Sequence, residues 1–275
     1  MKKLIPFAVI LAVMFMACSI SVDITPPPPT SIFTVAAPPV TEAPIVSAPT
    51  PAPVNVTCNG VSLYIDPALG SSYSCQTIPE SAEDMAIHPQ YTEITFHGYP
   101  LANTFFTPRI DIFPVQRFSE MAPDFIPGRV QMLQNLIAGG MPGDSDLPLL
   151  PIFNAAQVFT ARYGVVGFQN GSGIRYLTLY AQYAAPINNH DLFYTFQGLT
   201  SDGQYWVSVI LPISNPILPA DGVNPPGGQS WEDFSNNYQA YAADMTVQLN
   251  AQPPDSFAPA ITLLDALINS IIIQP

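Results

Sequence analysis

The chain has 275 residues and a formal net charge of −13, with 20 acidic and only seven basic side chains. This acidic balance argues against binding to nucleic acid and against electrostatic adhesion to anionic lipid. Both lysines, Lys2 and Lys3, lie at the start of the chain. The remainder therefore has no lysine for a Schiff base, a pyridoxal phosphate anchor or a Walker A loop.

The first 17 residues have the pattern of an export signal. Two lysines precede residues 4–17, LIPFAVILAVMFMA, an apolar run that is too short to span a bilayer comfortably. The run ends in Phe15-Met16-Ala17-Cys18, which resembles the lipobox of bacterial lipoproteins, where a small residue precedes a cysteine that is lipidated before cleavage. Its first two residues depart from the usual Leu and small residue. In the alternative, Ala17-Cys18-Ser19 is an ordinary cleavage site and the protein is secreted.

The cysteine count favours the lipoprotein interpretation. Cys58 and Cys75 lie 17 residues apart, and a cysteine pair in the exported part of a chain is most simply a disulfide. Cys18 is then the odd cysteine, and lipidation gives it a role. We expect a membrane anchor at Cys18, with the protein facing the periplasm or the cell exterior.

A proline-rich segment follows the expected anchor. Residues 22–55 include ten prolines, and such a sequence favours an extended polyproline II conformation over a packed core. At about 3.1 Å per residue it could hold a domain roughly 100 Å from its anchor. The alternative is a disordered leader. The predicted organisation is a signal peptide (1–17), a lipid-anchored tether (18–55) and a single globular domain (56–275).

The first half of the domain predicts two strands and a helix. YTEITFHGY (91–99) and PRIDIFPV (108–115) are typical of strands, and GRVQMLQNLIAGG (128–140) is typical of a short helix closed by glycines.

The second half predicts an antiparallel meander. VVGFQ (165–169) precedes the hairpin signal Asn170-Gly171, and further strands are GIRYLTLYAQY (173–183), LFYTFQGL (192–199) and QYWVSVILPI (204–213). In the last strand, alternate residues from Tyr205 to Ile213 are apolar and share one face.

Two helices are predicted after the meander. Ser230 is a suitable N-cap, and one apolar stripe follows it at helical spacing: Trp231, Phe234, Tyr238, Tyr241, Met245 and Leu249. We expect Trp231 and Phe234 to be core anchors. FAPAITLLDALINSIII (257–273) is the second helix, with Pro259 in its first turn.

These elements predict the α+β class, with an antiparallel meander and helices packed against it. An α/β/α sandwich of two β-β-α halves is an alternative, because TFHG (95–98) matches TFQG (195–198). A meander followed by a helix resembles the Mog1/PsbP-type sandwich, some members of which are bacterial lipoproteins. The resemblance covers residues 90–273 loosely, rests on topology alone, and implies a fold without site residues.

Motifs for catalysis or metal binding are weak. His88, His97 and His190 lack the spacing of zinc ligands, so we expect no metal and no cofactor. The loop Gly143-Asp144-Ser145-Asp146 has part of a calcium-binding pattern but no distal Glu. No GxSxG motif marks a serine nucleophile, and we assign Ser172 to the hairpin turn.

Five aromatic residues of the meander are candidate ligand contacts: Tyr176, Tyr180, Tyr194, Phe196 and Trp206. In a sheet covered on both sides they are core residues. On an open face they would form a surface for a sugar, lipid or peptide.

The sequence thus favours a non-catalytic envelope lipoprotein that binds a partner protein, glycan or lipid. The alternative is an exported hydrolase with paired carboxylates, although nothing in the sequence singles out two of the acids. A buried pair of acids in a cleft would favour the enzyme, and an aromatic or apolar groove would favour the binding domain.

Overall fold

The computed structural model describes residues 53–83, 86–143 and 147–274. The predicted signal peptide, Cys18 and nearly all of the tether lie outside these residues, as do the calcium candidates Asp144 and Asp146. Within the described ranges, no helix has the length and apolar character needed to cross a membrane.

The domain contains twelve strands within its described ranges: β1 (Val56–Cys58), β2 (Val61–Leu63), β3 (Ser72–Ile78), β4 (Tyr91–His97), β5 (Arg109–Pro114), β6 (Ala156–Gln157), β7 (Ala161–Phe168), β8 (Gly171–Thr178), β9 (Tyr180–Ala181), β10 (Phe193–Thr200), β11 (Tyr205–Pro212) and β12 (Ile272–Ile273). Its α-helices in the same ranges are α1 (Val115–Met121), α2 (Ile126–Ile137), α3 (Trp231–Asn236), α4 (Tyr238–Ala251) and α5 (Ile261–Ser270).

Seven strands form one antiparallel sheet in the order β3-β4-β5-β11-β10-β8-β7. Its β7-β8-β10-β11 portion confirms the predicted meander. Phe168 pairs with Gly171 across the two-residue turn Gln169-Asn170. The turn thus lies one residue before the predicted Asn170-Gly171, and Ser172 belongs to β8 and not to the turn. The Gly203 amide donates to the Thr200 carbonyl at 2.8 Å in the turn before β11. Smaller sheets are β1-β2-β12 and β6-β9.

Both faces of the large sheet are covered, which gives the predicted α+β class. One face packs against α1, α2 and residues 147–150. The other packs against α4, α5 and the β1-β2-β12 sheet. The alternating apolar side of β11 lies on this second face, as the sequence predicts. The helices that follow β5 and β11 thus lie on opposite faces, and the duplication of two β-β-α halves stays a prediction.

The helix predicted from Ser230 is divided into α3 and α4. Ser230 caps it as expected, because its Oγ accepts from the Asp233 amide at 3.1 Å. The break falls at Asn237, whose Nδ2 donates to the Asp233 carbonyl at 2.9 Å, and asparagine competes in this way with helical backbone bonds. Phe234 is buried as predicted, whereas Trp231 is 43% exposed, so its assignment as a core anchor is wrong.

The beginning and the end of the domain differ from the sequence prediction. The helix predicted for residues 257–273 covers only Ile261–Ser270, so Pro259 precedes the helix and is not in its first turn. Residues 272 and 273 form β12 beside β2, in keeping with the strand preference of β-branched isoleucine. Strands β1, β2, β3 and β6 and helix α1 were not predicted from the sequence. The predicted disulfide is confirmed, since Cys58 on β1 is bonded to Cys75 on β3.

Candidate functional site

The five candidate aromatics do not form one open surface. Tyr176, Tyr194, Phe196 and Trp206 are buried, and they are divided between the two faces of the sheet. The Trp206 Nε1 donates to the Gln197 side chain at 2.7 Å, and the Tyr194 hydroxyl donates to Asp265 at 2.8 Å. These four are therefore core residues, as expected for a sheet covered on both sides.

The three histidines lie apart and are engaged locally. His88 Nδ1 lies 3.0 Å from the Pro89 carbonyl, and His97 Nε2 lies 3.0 Å from Ser74 Oγ. His190 Nδ1 lies 2.6 Å from Asp191 Oδ1. Within the described part of the chain, no three His, Cys, Asp or Glu side chains converge to hold a metal ion.

One pair of acids comes together on the sheet. Glu93 of β4 lies directly opposite Asp111 of β5, and Asp111 is 1% exposed. Its Oδ2 accepts from Arg109 Nε at 3.0 Å, and its Oδ1 has no hydrogen-bond partner. Burial raises the pKa of Asp111 to about 6, Arg109 opposes this rise, and Glu93 adds to it. The pair has the environment of an acid-base group, but a substrate cannot touch the buried carboxyl.

A groove of about 430 Å³ opens on the surface of the domain. Its lining includes five aromatic side chains, one carboxylate and two amides, with alanines between them: Phe105, Phe106, Phe153, Tyr180, Tyr183, Asp191, Asn154, Gln182, Ala155, Ala181 and Ala185. Phe105 and Tyr183 are 67% and 65% exposed, respectively. Of the five predicted aromatics, only Tyr180 lines this groove.

Loops hold the aromatic wall of the groove. Phe105 and Phe106 lie between β4 and β5, and the Phe105 amide donates to the His190 carbonyl at 2.8 Å. Phe153 lies before β6 and packs between Phe106 and Tyr180, with ring centroids 5.2 and 5.1 Å away. This packing fixes the inner rings, while Phe105 remains open to solvent.

The carboxylate of the groove is fixed by the turn before β10. Asn188 Oδ1 accepts from the amides of His190 (2.9 Å) and Asp191 (3.0 Å), and its Nδ2 donates to Asp191 Oδ2 at 2.8 Å. Asparagine favours such turns because its side chain bonds its own backbone two residues on. Asp191 thus holds one orientation beside the rings.

Helix α4 holds the earlier part of the loop that joins β9 to β10 and ends in this turn. The Tyr238 hydroxyl donates to the Ala185 carbonyl at 2.7 Å, and the Tyr241 hydroxyl accepts from the Ile187 amide at 2.9 Å. Trp231 of α3 lies with its ring centroid 6.3 Å from that of Tyr183. The exposed tryptophan therefore extends the aromatic surface beyond the groove.

Comparisons with known proteins give no relative. No protein-family model, curated protein or solved structure shows significant similarity to the chain. The resemblances to lipoprotein precursors and to the Mog1/PsbP-type sandwich therefore remain predictions.

A second cavity, of about 440 Å³, lies on the other side of Phe153. It shares Phe153 and Asn154 with the groove and is lined mainly by apolar side chains, including those of Tyr91, Phe113 and Phe118. Burial raises the pKa of Tyr91 to about 12, and the charges of Asp111 and Glu93 add to the rise. The acid pair thus lies near this cavity, although neither acid is among its lining residues.

The groove can bind a ligand by stacking and by hydrogen bonding to fixed polar groups. It holds no cysteine, serine, threonine or lysine that could act as a nucleophile. Sequence reasoning missed it because its residues come from four separate segments. Two signals in the sequence could have indicated it. One is the pair of adjacent phenylalanines at 105 and 106, and the other is Asn188-Asn189-His190-Asp191, which is typical of a structured turn.

Proposed function

We propose that this protein is a non-catalytic binding protein of the cell envelope and that the aromatic groove is its ligand site. The observation that supports this function is the combination of two exposed rings, Phe105 and Tyr183, with a carboxylate held by its own turn, Asp191. Large apolar side chains are exposed together at a cost, and such patches mark binding sites. Concave sites with a few fixed polar groups are typical ligand sites.

The hydrolase alternative has less support. Paired carboxylates act on a substrate only if both reach the scissile bond. Asp111 is enclosed in the sheet and paired with Arg109. Its carboxyl therefore cannot reach a substrate, and a structural role in the sheet explains it better than a catalytic one. Aryl glycoside or ester turnover that is lost in Glu93→Gln would restore this alternative.

The proposed location in the cell envelope rests on the sequence. The signal and Cys18 favour a lipid anchor, and the prolines between Cys18 and the domain favour an extended tether. A clickable fatty-acid analogue should label the wild type and not Cys18→Ala, and the variant should be found unprocessed or released. An unlabelled wild type would contradict the anchor.

The binding site is tested by a ligand screen on the full-length protein. Sugars, ammonium compounds and short peptides are screened by thermal shift and by tryptophan fluorescence, to which Trp231 beside Tyr183 contributes. Hits should be lost in the double variant Phe105→Ser/Tyr183→Ser. Val247→Ser is the matched control, because Val247 is an equally exposed apolar residue on α4. Hits that persist in the double variant would refute the assignment.

A further inference from the structure

The charge of the groove restricts its ligand. Asp191 is its one ionisable acid, and no lysine or arginine is among its lining residues. A carboxylate has about four acceptor sites, and Asp191 uses one on His190 and one on Asn188. About two acceptor sites of this carboxylate therefore remain available to a ligand. The formal net charge of −13 also repels anions and attracts cations.

The aromatic rings of the groove also favour a positively charged ligand. The faces of aromatic rings are electron-rich and attract cations, and recognition of quaternary ammonium groups by several rings is an established use of this interaction. The groove brings five aromatic side chains to one space with a carboxylate. A primary ammonium group would need three hydrogen-bond acceptors, whereas a quaternary one needs only ring faces and a counter-charge.

We propose that the groove binds a quaternary ammonium compound, with its methyl groups against the rings, among them Phe105 and Tyr183, and with Asp191 as the counter-charge. This inference rests on the proposed function, since it names the ligand class of the same site. A neutral sugar could also stack on the rings, but it would not use the charge of Asp191. An anionic lipid would be repelled by it.

The test compares choline with 3,3-dimethylbutan-1-ol, in which carbon replaces the charged nitrogen. Titrations of the full-length protein are followed calorimetrically near pH 8. Choline should bind about tenfold more tightly than the neutral compound. Asp191→Asn should remove most of this preference, leaving the part that comes from the rings, and should leave the affinity for the neutral compound unchanged.

Tyr183→Leu provides a second variant that is independent of the Asp191 turn. Tyr183 is largely exposed, so the variant should unfold at the wild-type temperature and bind choline about two- to fivefold more weakly. Equal affinity for the two compounds, no choline binding, or wild-type affinity in both variants would overturn the proposal.

The ligand screen distinguishes failure of the quaternary ammonium proposal from failure of the proposed binding function. If other screen hits are still lost in Phe105→Ser/Tyr183→Ser, the groove is a ligand site for a different chemical class, such as a neutral sugar. If no hit depends on the groove, both proposals fail.

Discussion

Replacing Asp111 by asparagine should change how stability depends on pH. The variant keeps the size of the side chain and removes its titration. Burial raises the pKa of Asp111 from 3.8 to about 6 in the folded protein, a difference of about 2 units, and each unit corresponds to about 1.36 kcal/mol. The ionised carboxylate should therefore lower the free energy of unfolding by about 3 kcal/mol relative to the protonated acid.

The sign follows from the direction of the shift. Because the folded-state pKa is higher, the folded protein binds the proton more tightly than the unfolded chain does. This contribution to stability is present below about pH 4 and is lost as the pH rises to about 6 and above. Glu80 and Asp202 have lowered pKa values and act in the opposite direction, so the difference between wild type and variant is the informative quantity.

The assay is urea unfolding of the wild type and Asp111→Asn across this pH range. Relative to the wild type, the variant should gain about 3 kcal/mol between about pH 4 and pH 7. The loss of the Arg109 contact adds an offset that does not alter this change. Asp124→Asn is the control, because Asp124 is exposed. A difference that stays flat with pH, or that moves in favour of the wild type as pH rises, would refute the reasoning.

Three further changes test the packing. Phe234→Ala should lower the free energy of unfolding by about 3 to 5 kcal/mol because Phe234 is buried, whereas exposed Trp231→Ala should change it little; equal effects in thermal unfolding would count against this placement. Cys58→Ser/Cys75→Ser should cost about 3 kcal/mol, the chain-entropy value for a loop with this separation of 17, and an unchanged urea midpoint would contradict it. Gly198→Ala should cost about 1 to 3 kcal/mol because its Cβ would lie 2.5 Å from the Phe196 ring, whereas Gly167→Ala should be tolerated; similar melting temperatures for both would argue against this close approach.

Strands with a clear alternation of apolar residues were predictable. In β11 every second residue from Tyr205 to Leu211 faces the α4-α5 side of the sheet, and the period of two gives both the strand and its buried face. Strand β3 was missed because it is an exposed edge strand, SYSCQTI, without apolar alternation. Nothing in such a segment distinguishes it from a polar loop until its partner β4 is known.

Trp231 and the groove were mispredicted because their surroundings depend on contacts between distant parts of the chain. Helical spacing predicted one stripe, and Phe234 does pack against Tyr238 and Tyr241 across the break at Asn237. Trp231, at the start of α3, instead lies exposed beside Tyr183. The groove depends on contacts between distant loops, such as the Phe105 amide with the His190 carbonyl. Local patterns carry no signal for such contacts, because side chains far apart in sequence meet only after the sheet has formed.

The most direct measurement is a crystal structure of the full-length protein soaked with choline and with the hits of the ligand screen. The proposed function predicts ligand density between the rings of Phe105 and Tyr183, and the further inference predicts the choline nitrogen beside Asp191. Ligand density confined to the cavity beside Tyr91, with none in the groove, would contradict the assignment of the binding site.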